Sequence, residues 1–263
     1  MRTLGEKRKQ EIREMIWRLM EERGVAAFPR PVYGRIPNFV GAAEAAARII
    51  GLPEWRRARI VKANPDAPQR PLRLAALRQG KILVMATPRL REGFLLLDPR
   101  RIPPQFYEKA ATIRGAFALG RRVSLDELRT IGPIDFIVTG SVAVDRRGRR
   151  IGKGEGYAEI EYAVLRELGL VGEDTPIATT IHDVQLVPEL PRDPYDVTLD
   201  YAATPTRLLR FPDREPRPPG ILWELLPCEK LSEIPLLAEL ARARAPWKLE
   251  ECKTFAARGR SRG

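Results

Sequence analysis

Hydrophobic positions along the chain follow two rhythms, one of helices and one of buried strands. In residues 4–23, Ile12, Met15, Ile16, Leu19 and Met20 recur at three- and four-residue spacing, which predicts a long amphipathic helix ended by Gly24. At roughly 100° per residue, Lys9 and Arg13 fall at the edge of that stripe and lean along the protein body; spacing alone reads them as stems covering it. Residues 42–50 form an alanine-rich helix stopped by Gly51-Leu52-Pro53, with Glu44 near its start. Arg56, Arg57 and Arg59 read as a solvated face, residues 64–68 as a turn and 71–79 as a short helix. Strand-like runs at 81–87 and 94–98 precede a predicted helix over 103–119, and Ser124 is the expected N-cap of a short helix at 126–129. The apolar run 134–144 reads as one buried strand, 158–168 as a helix carrying Ile160, Ala163, Val164 and Leu168, and 175–181 as another buried strand. Strands alternating with helices predict an α/β fold with a mostly parallel sheet, which receives ligands beyond the carboxyl ends of its strands.

The chain is organised around residues 145–157, Asp-Arg-Arg-Gly-Arg-Arg-Ile-Gly-Lys-Gly-Glu-Gly-Tyr, between the strand at 134–144 and the helix at 158–168. Gly152, Gly154 and Gly156 alternate there beside Arg149, Arg150 and Lys153. Glycines let backbone N–H groups approach an anion, the helix N-terminus adds a favourable dipole, and the cations supply charge, so a phosphate group fits. A basic, glycine-rich hairpin tip is the alternative reading of the same residues. His182-Asp183, with no nucleophile motif elsewhere, reads as a strand end rather than a catalytic pair.

Length and composition narrow the class. The chain has 263 residues, 44% of them hydrophobic, enough for one well-buried domain with extensions. No run approaches the roughly 18 apolar residues of a membrane-spanning helix, and the charged N-terminus lacks a secretory h-region. The two cysteines, Cys228 and Cys252, make neither a CxxC nor a zinc set, and His182 is the only histidine, so a soluble, cytoplasmic protein without a histidine-based metal site is expected. Net charge is +12, which attracts polyanions and makes non-specific RNA contact through a basic surface an expectation. The expected organisation is a domain over 1–210, a proline-rich connection at 211–220 opening a C-terminal extension that runs to 257, and a basic disordered tail over 258–263. Within the extension, 221–226 reads as an edge strand and 234–244 as a helix.

Gly148, Arg150, Ile151, Gly152, Gly154, Gly156 and Tyr157 fall in place on a G-x-R-[LI]-G-x-G-x-G-Y pattern. Lys9-Gln10-Glu11-Ile12-Arg13 matches K-x-x-[LI]-R, and Gln185-Leu186-Val187, Leu190-Pro191, Asp196-Val197, Leu199-Asp200 and Thr204 match a third segment at fixed spacings. With these motifs the chain resembles the 5-formyltetrahydrofolate cyclo-ligase family. The resemblance implies a three-layer α/β/α domain that uses ATP and Mg2+ to convert a 5-formyl reduced folate, or a related pterin, to its 5,10-methenyl form. It implies catalytic roles for Lys9, Arg150 and Tyr157, and nucleotide phosphate at Lys9, Arg13, Arg150, Gly152, Lys153, Gly154, Glu155, Gly156 and Tyr157. It places metal at Glu159 and Asp196, and substrate at Glu44 and Gln185. After Tyr157 the family's G-Y-Y-D-R becomes Gly156-Tyr157-Ala158-Glu159-Ile160. Residues 37–39 and 64–69 are similar to a divergent branch, the methenyltetrahydrofolate synthetase domain-containing proteins, some of which carry an RNA-recognition motif. The second expectation is therefore a non-catalytic nucleotide- or RNA-binding protein that retains the scaffold.

Overall fold

In the computed structural model, which describes residues 4–260 and side chains from residue 5 to residue 254, the predicted rhythms become two helical layers around one sheet. The N-terminal half runs through α1 (Leu4–Glu22), α2 (Ala42–Ile50), α3 (Pro53–Arg57), β1 (Ile60–Ala63), α4 (Arg70–Arg78), β2 (Ile82–Ala86) and β3 (Phe94–Leu97). Next come α5 (Tyr107–Ala110), α6 (Ile113–Leu119), β4 (Arg121–Val123), α7 (Leu125–Thr130), β5 (Phe136–Val138), β6 (Ala143–Val144), β7 (Arg150–Ile151) and α8 (Tyr157–Glu167). The chain ends with β8 (Ile177–Thr180), β9 (Tyr201–Ala203), β10 (Leu208–Arg210), α9 (Cys228–Glu233), α10 (Pro235–Arg244) and α11 (Pro246–Arg260).

The sheet order is β10-β9-β8-β5-β1-β2-β3-β4. Strands β9, β8, β5, β1 and β2 run parallel, while β3 and β10 pair antiparallel at the flanks. Alternate strand residues face opposite layers. Val61, Ala63, Leu83, Met85, Phe136 and Val138 join Ile16, Met20, Ile49 and Trp55 on one side. Ile60, Val84, Phe94, Ile137 and Ile177 join Val164, Leu165, Leu237 and Leu240 on the other. The result is the expected three-layer α/β/α architecture with a mostly parallel sheet.

Three predicted elements are corrected. The apolar run 134–144 is two strands, because the chain bends after β5 so that Ala143 and Val144 pair with Ile151 and Arg150 in a separate ribbon. The helix over 103–119 breaks between α5 and α6, where the Thr112 hydroxyl accepts the Gly115 N–H at 3.0 Å and restarts the turn. Residues 221–226 make turns rather than an edge strand, and the sheet's two edges are β10 and β4, each pairing antiparallel with its neighbour. The first three residues of the expected tail, 258–260, are helical in α11, and 261–263 lie outside the described residues.

The C-terminal extension fills the second layer. Leu231, Ile234, Leu236, Leu237 and Leu240 lie in the cluster that covers Val84 and Phe94. Buried Arg217 anchors its start by donating to the carbonyls of Thr198, Glu173 and Thr175. Cys228 and Cys252, 24 residues apart, form a disulfide between α9 and α11 that the sequence reading does not anticipate.

Candidate functional site

The sheet reverses its winding between β1 and β5, since β2 lies on one side of β1 and β5 on the other. Such a switch point leaves a crevice beyond the carboxyl ends of the two strands. The stretch 145–157 enters that crevice and divides into two structures. Its first part is indeed a hairpin tip: Asp145 Oδ1 accepts the Arg147 and Arg149 N–H groups, and Gly148 turns the chain at φ +74°. A Cβ at Gly148 would meet the Leu199 carbonyl at 2.7 Å, so the tip is packed rather than free. Its second part, residues 152–156, is a loop that leads into α8, with Gly156 as a left-handed N-cap at φ +72°. That loop presents Lys153, Gly154 and Gly156 to solvent.

Arg13 and Arg150 hold the loop from beneath. Arg13 Nε donates to the Gly152 carbonyl at 2.8 Å, and its Nη1 donates to Glu6 at 2.6 Å. Arg150 donates to the Gly140 carbonyl at 3.0 Å, past the end of β5, and to Glu159 on α8 at 2.6 Å. Its buried Nε has no hydrogen-bond partner among the described residues, so a cation at the floor of the loop still has a donor to give. Lys9, Arg13 and Arg150 are only 3%, 4% and 2% exposed, which replaces the reading of Lys9 and Arg13 as stems covering an apolar stripe. The α1 stripe instead turns both inward.

Lys9 donates to Asp193 at 2.7 Å and to Asp196 at 2.6 Å. Burial alone would lower the pKa of its ammonium, but the two carboxylates, Asp196 foremost, push it above the ordinary lysine value. Burial pushes the Asp196 carboxyl up, against the opposing pull of Lys9. Glu159 is close enough to add to that rise. The two expected metal residues therefore face one another across the crevice, each already held by a cation.

Lys9, Arg13, Arg150, Glu159 and Asp196 line one cavity of about 370 Å³, together with Gly152, Gly154, Glu155 and Gly156. Tyr157 stands at the first turn of α8, where its hydroxyl donates to Glu233 at 2.8 Å and the Lys230 ammonium lies 3.6 Å from its ring centroid. Desolvation and the Glu233 carboxylate push its phenol up to about 12. Lys153 pairs with Glu155 at 2.8 Å and lines a second, more open cavity of about 630 Å³ on the other side of the loop. Asp66, Arg70 and Arg73 line that second cavity as well.

Glu44 and Gln185 are not brought to either cavity. Glu44 is exposed on α2. Gln185 is fully buried, accepting the His182 N–H at 2.7 Å and donating to the carbonyls of Ser141 and Val142. It ties the chain after β5 to the turn after β8. His182 accepts the Val184 N–H through Nδ1, as a strand-end residue should. Sequence reasoning missed Asp193, although Asp193-Pro-Tyr-Asp196 places two carboxylates three residues apart. It also missed Lys230 and Glu233, an i,i+3 pair on α9 that only tertiary packing brings to Tyr157.

These features define an α/β protein with a glycine loop, buried cations and opposed carboxylates at the switch point of a parallel sheet. Sequence comparison names the group more closely. The chain belongs to the 5-formyltetrahydrofolate cyclo-ligase family, whose model matches residues 5–205. It is 44% identical over 236 residues to the methenyltetrahydrofolate synthase domain-containing protein of Mus musculus, covering 88% of this chain and 63% of that protein. It is 42% identical over 240 residues to the Homo sapiens protein of that description, covering 90% and 62%. The chain thus spans a little over three fifths of the length of these relatives. A solved structure, that of Aquifex aeolicus 5,10-methenyltetrahydrofolate synthetase, aligns at TM-score 0.48 and 20% identity, over 79% of this chain and 94% of that one.

Proposed function

We propose that this chain is an ATP-dependent cyclo-ligase acting on a 5-formyl reduced folate or a related pterin. The observation that carries this reading is the convergence of buried Lys9, Arg13 and Arg150 with the glycine loop and the α8 N-terminus on one cavity. Such a set stabilises phosphate charge, and phosphoryl transfer asks a protein mainly for positioning and charge neutralisation.

In the reaction, the formyl oxygen attacks the γ-phosphorus of ATP and ADP leaves. N10 then attacks the activated formyl carbon, the N10 proton passes to solvent, the C–O bond breaks and phosphate departs. Lys9 and Arg150 would trade part of their carboxylate contact for phosphate oxygen, while Arg13 keeps Gly152 in place. Among the described residues no group of three or more acidic, His or Cys side chains could hold a metal alone. Asp196 and Glu159 instead fit a Mg2+ that arrives with the nucleotide phosphates, because this ion commonly takes only one or two carboxylates beside phosphate and water. Bound there, it would spread the charge of the transferring phosphoryl group. The second cavity offers the pterin a carboxylate: burial pushes Asp66 up while Lys153 pulls it down. A carboxylate is the group that accepts from the amino and N–H edge of a pterin.

A nucleotide-binding protein without turnover is the second reading, favoured by the ion pair that commits Glu159 to Arg150 at 2.6 Å. The deciding experiment mixes the protein with 5-formyltetrahydrofolate, ATP and Mg2+ and follows methenyl absorbance. An ATP-dependent rise supports the cyclo-ligase. ATP binding by calorimetry with no rise on this or related formyl pterins supports the second reading, and failure to bind ATP overturns both.

A further inference from the structure

The glycine-loop cavity has two chemically different ends. One carries Lys9, Arg13 and Arg150; the other is apolar, with Ile160 and Ala163 of α8 facing Ile221, Leu222, Leu225 and Leu226. Those four residues lie beyond residue 205, where the match to the family model stops. The far wall of the cavity is therefore built by a segment beyond the residues that the family model matches, within the stretch that aligns with the Mus musculus relative.

That wall is anchored on both sides. Before it, Arg214 and Arg217 pair with Asp200, and Arg217 also donates to three backbone carbonyls. Within it, Trp223 and Leu226 are buried in the second-layer core. After it, α9 sends Glu233 to the Tyr157 hydroxyl, which fastens the wall to the helix that follows the glycine loop. Leu225 is nevertheless 50% exposed on the cavity side of a rigid segment. A half-exposed leucine opposite Ile160 offers apolar area to a flat ring, and burying it against one is favourable.

We propose that residues 221–226 seat the base of a purine nucleotide whose phosphates lie at the glycine loop, and that they favour adenine over guanine. This rests on the reading of that loop as a nucleotide site. The wall presents leucine and isoleucine side chains, against which the extra carbonyl, N–H and amino groups of guanine would lose water without gaining partners. The extension is then part of the binding site as well as part of the core.

The test uses the full chain, wild type and the Leu225→Ala and Leu222→Ala/Leu225→Ala variants, with melting curves to establish that each is folded. Both positions are partly exposed, so the fold should tolerate the change. Calorimetry in Mg2+ measures ATP, GTP and inorganic tripolyphosphate. Expected are wild-type binding of ATP at least ~10-fold tighter than GTP or tripolyphosphate, and a ~10-fold loss for ATP in the double variant with tripolyphosphate unchanged. Unaltered ATP affinity in the double variant, or wild-type ATP binding no tighter than tripolyphosphate, overturns the base-seating wall while leaving a phosphate site intact. Binding of neither ATP nor tripolyphosphate overturns the nucleotide reading and the wall with it.

Discussion

Lys9 shows how much of the site depends on a single buried charge. Its two carboxylate partners differ in burial, Asp193 being 23% and Asp196 11% exposed, so both lean on the ammonium for neutralisation. Lys9→Met should cost about 3 kcal/mol, because it leaves opposed carboxylates without their cation. The sign with pH follows from the directions of the shifts. In the wild type the Lys9 contribution is complete below the ordinary lysine value and is lost as pH rises through the raised one. In the variant the cost should shrink as pH falls and the Asp196 carboxyl, already pushed up by burial, takes a proton; denaturant melts at neutral and acidic pH compare the two, and equal losses at both would refute the pairing. Tyr157 offers an independent measure. Its phenol is raised to about 12, so its contribution to stability is complete below about 10 and fades across pH 10 to 12. The ultraviolet titration of wild type minus Tyr157→Phe should show one tyrosinate appearing near pH 12, and a midpoint near 10 would show that Glu233 does not hold it.

At the scale of elements, one glycine marks a place where backbone approaches too closely for a side chain, and another holds a left-handed turn against the Arg13 guanidinium. Gly115 opens α6 over the end of α5, and a Cβ there would lie 1.7 Å from the Lys109 carbonyl oxygen. Gly115→Ala should therefore cost roughly 3 kcal/mol or more in a denaturant melt, and a near-neutral result would mean that the corner is not so tightly closed. Gly154 sits at φ +97°, and a Cβ there would lie 3.1 Å from Arg13 Nη1. Gly154→Val should lose about 1 to 2 kcal/mol from the left-handed backbone and at least ~10-fold in ATP affinity from displacing Arg13. Gly24→Ala, at φ +63° with nothing within 4 Å, isolates the backbone cost and should leave ATP affinity unchanged. Periodicity located α1, α2 and α8 closely because an amphipathic helix writes its buried face into its own spacing. It read residues 134–144 as one strand because hydrophobicity records burial but not direction, and the bend after β5 follows from Arg150 and Gln185 holding the carbonyls of Gly140, Ser141 and Val142.

Across the whole molecule, the extension and the sheet depend on each other. Ending the chain after Arg210 removes Leu236, Leu237 and Leu240 from over Val84 and Phe94. The shortened protein should bind a hydrophobic dye and lose its cooperative melt, and a monomer that melts as sharply as the full chain would contradict this. By itself the sequence determined the α/β class, the main helices, and the cationic and glycine residues of the loop, because periodicity and backbone permissiveness are local properties. Its motifs also pointed to the family. Only the tertiary structure decided that Lys9 faces Asp193 and Asp196 across more than 180 residues of chain, that Gln185 is a buried brace, and that residues beyond 205 wall the cavity. Those are contacts between distant segments, settled by which apolar faces cover the sheet and which buried charges must then find partners.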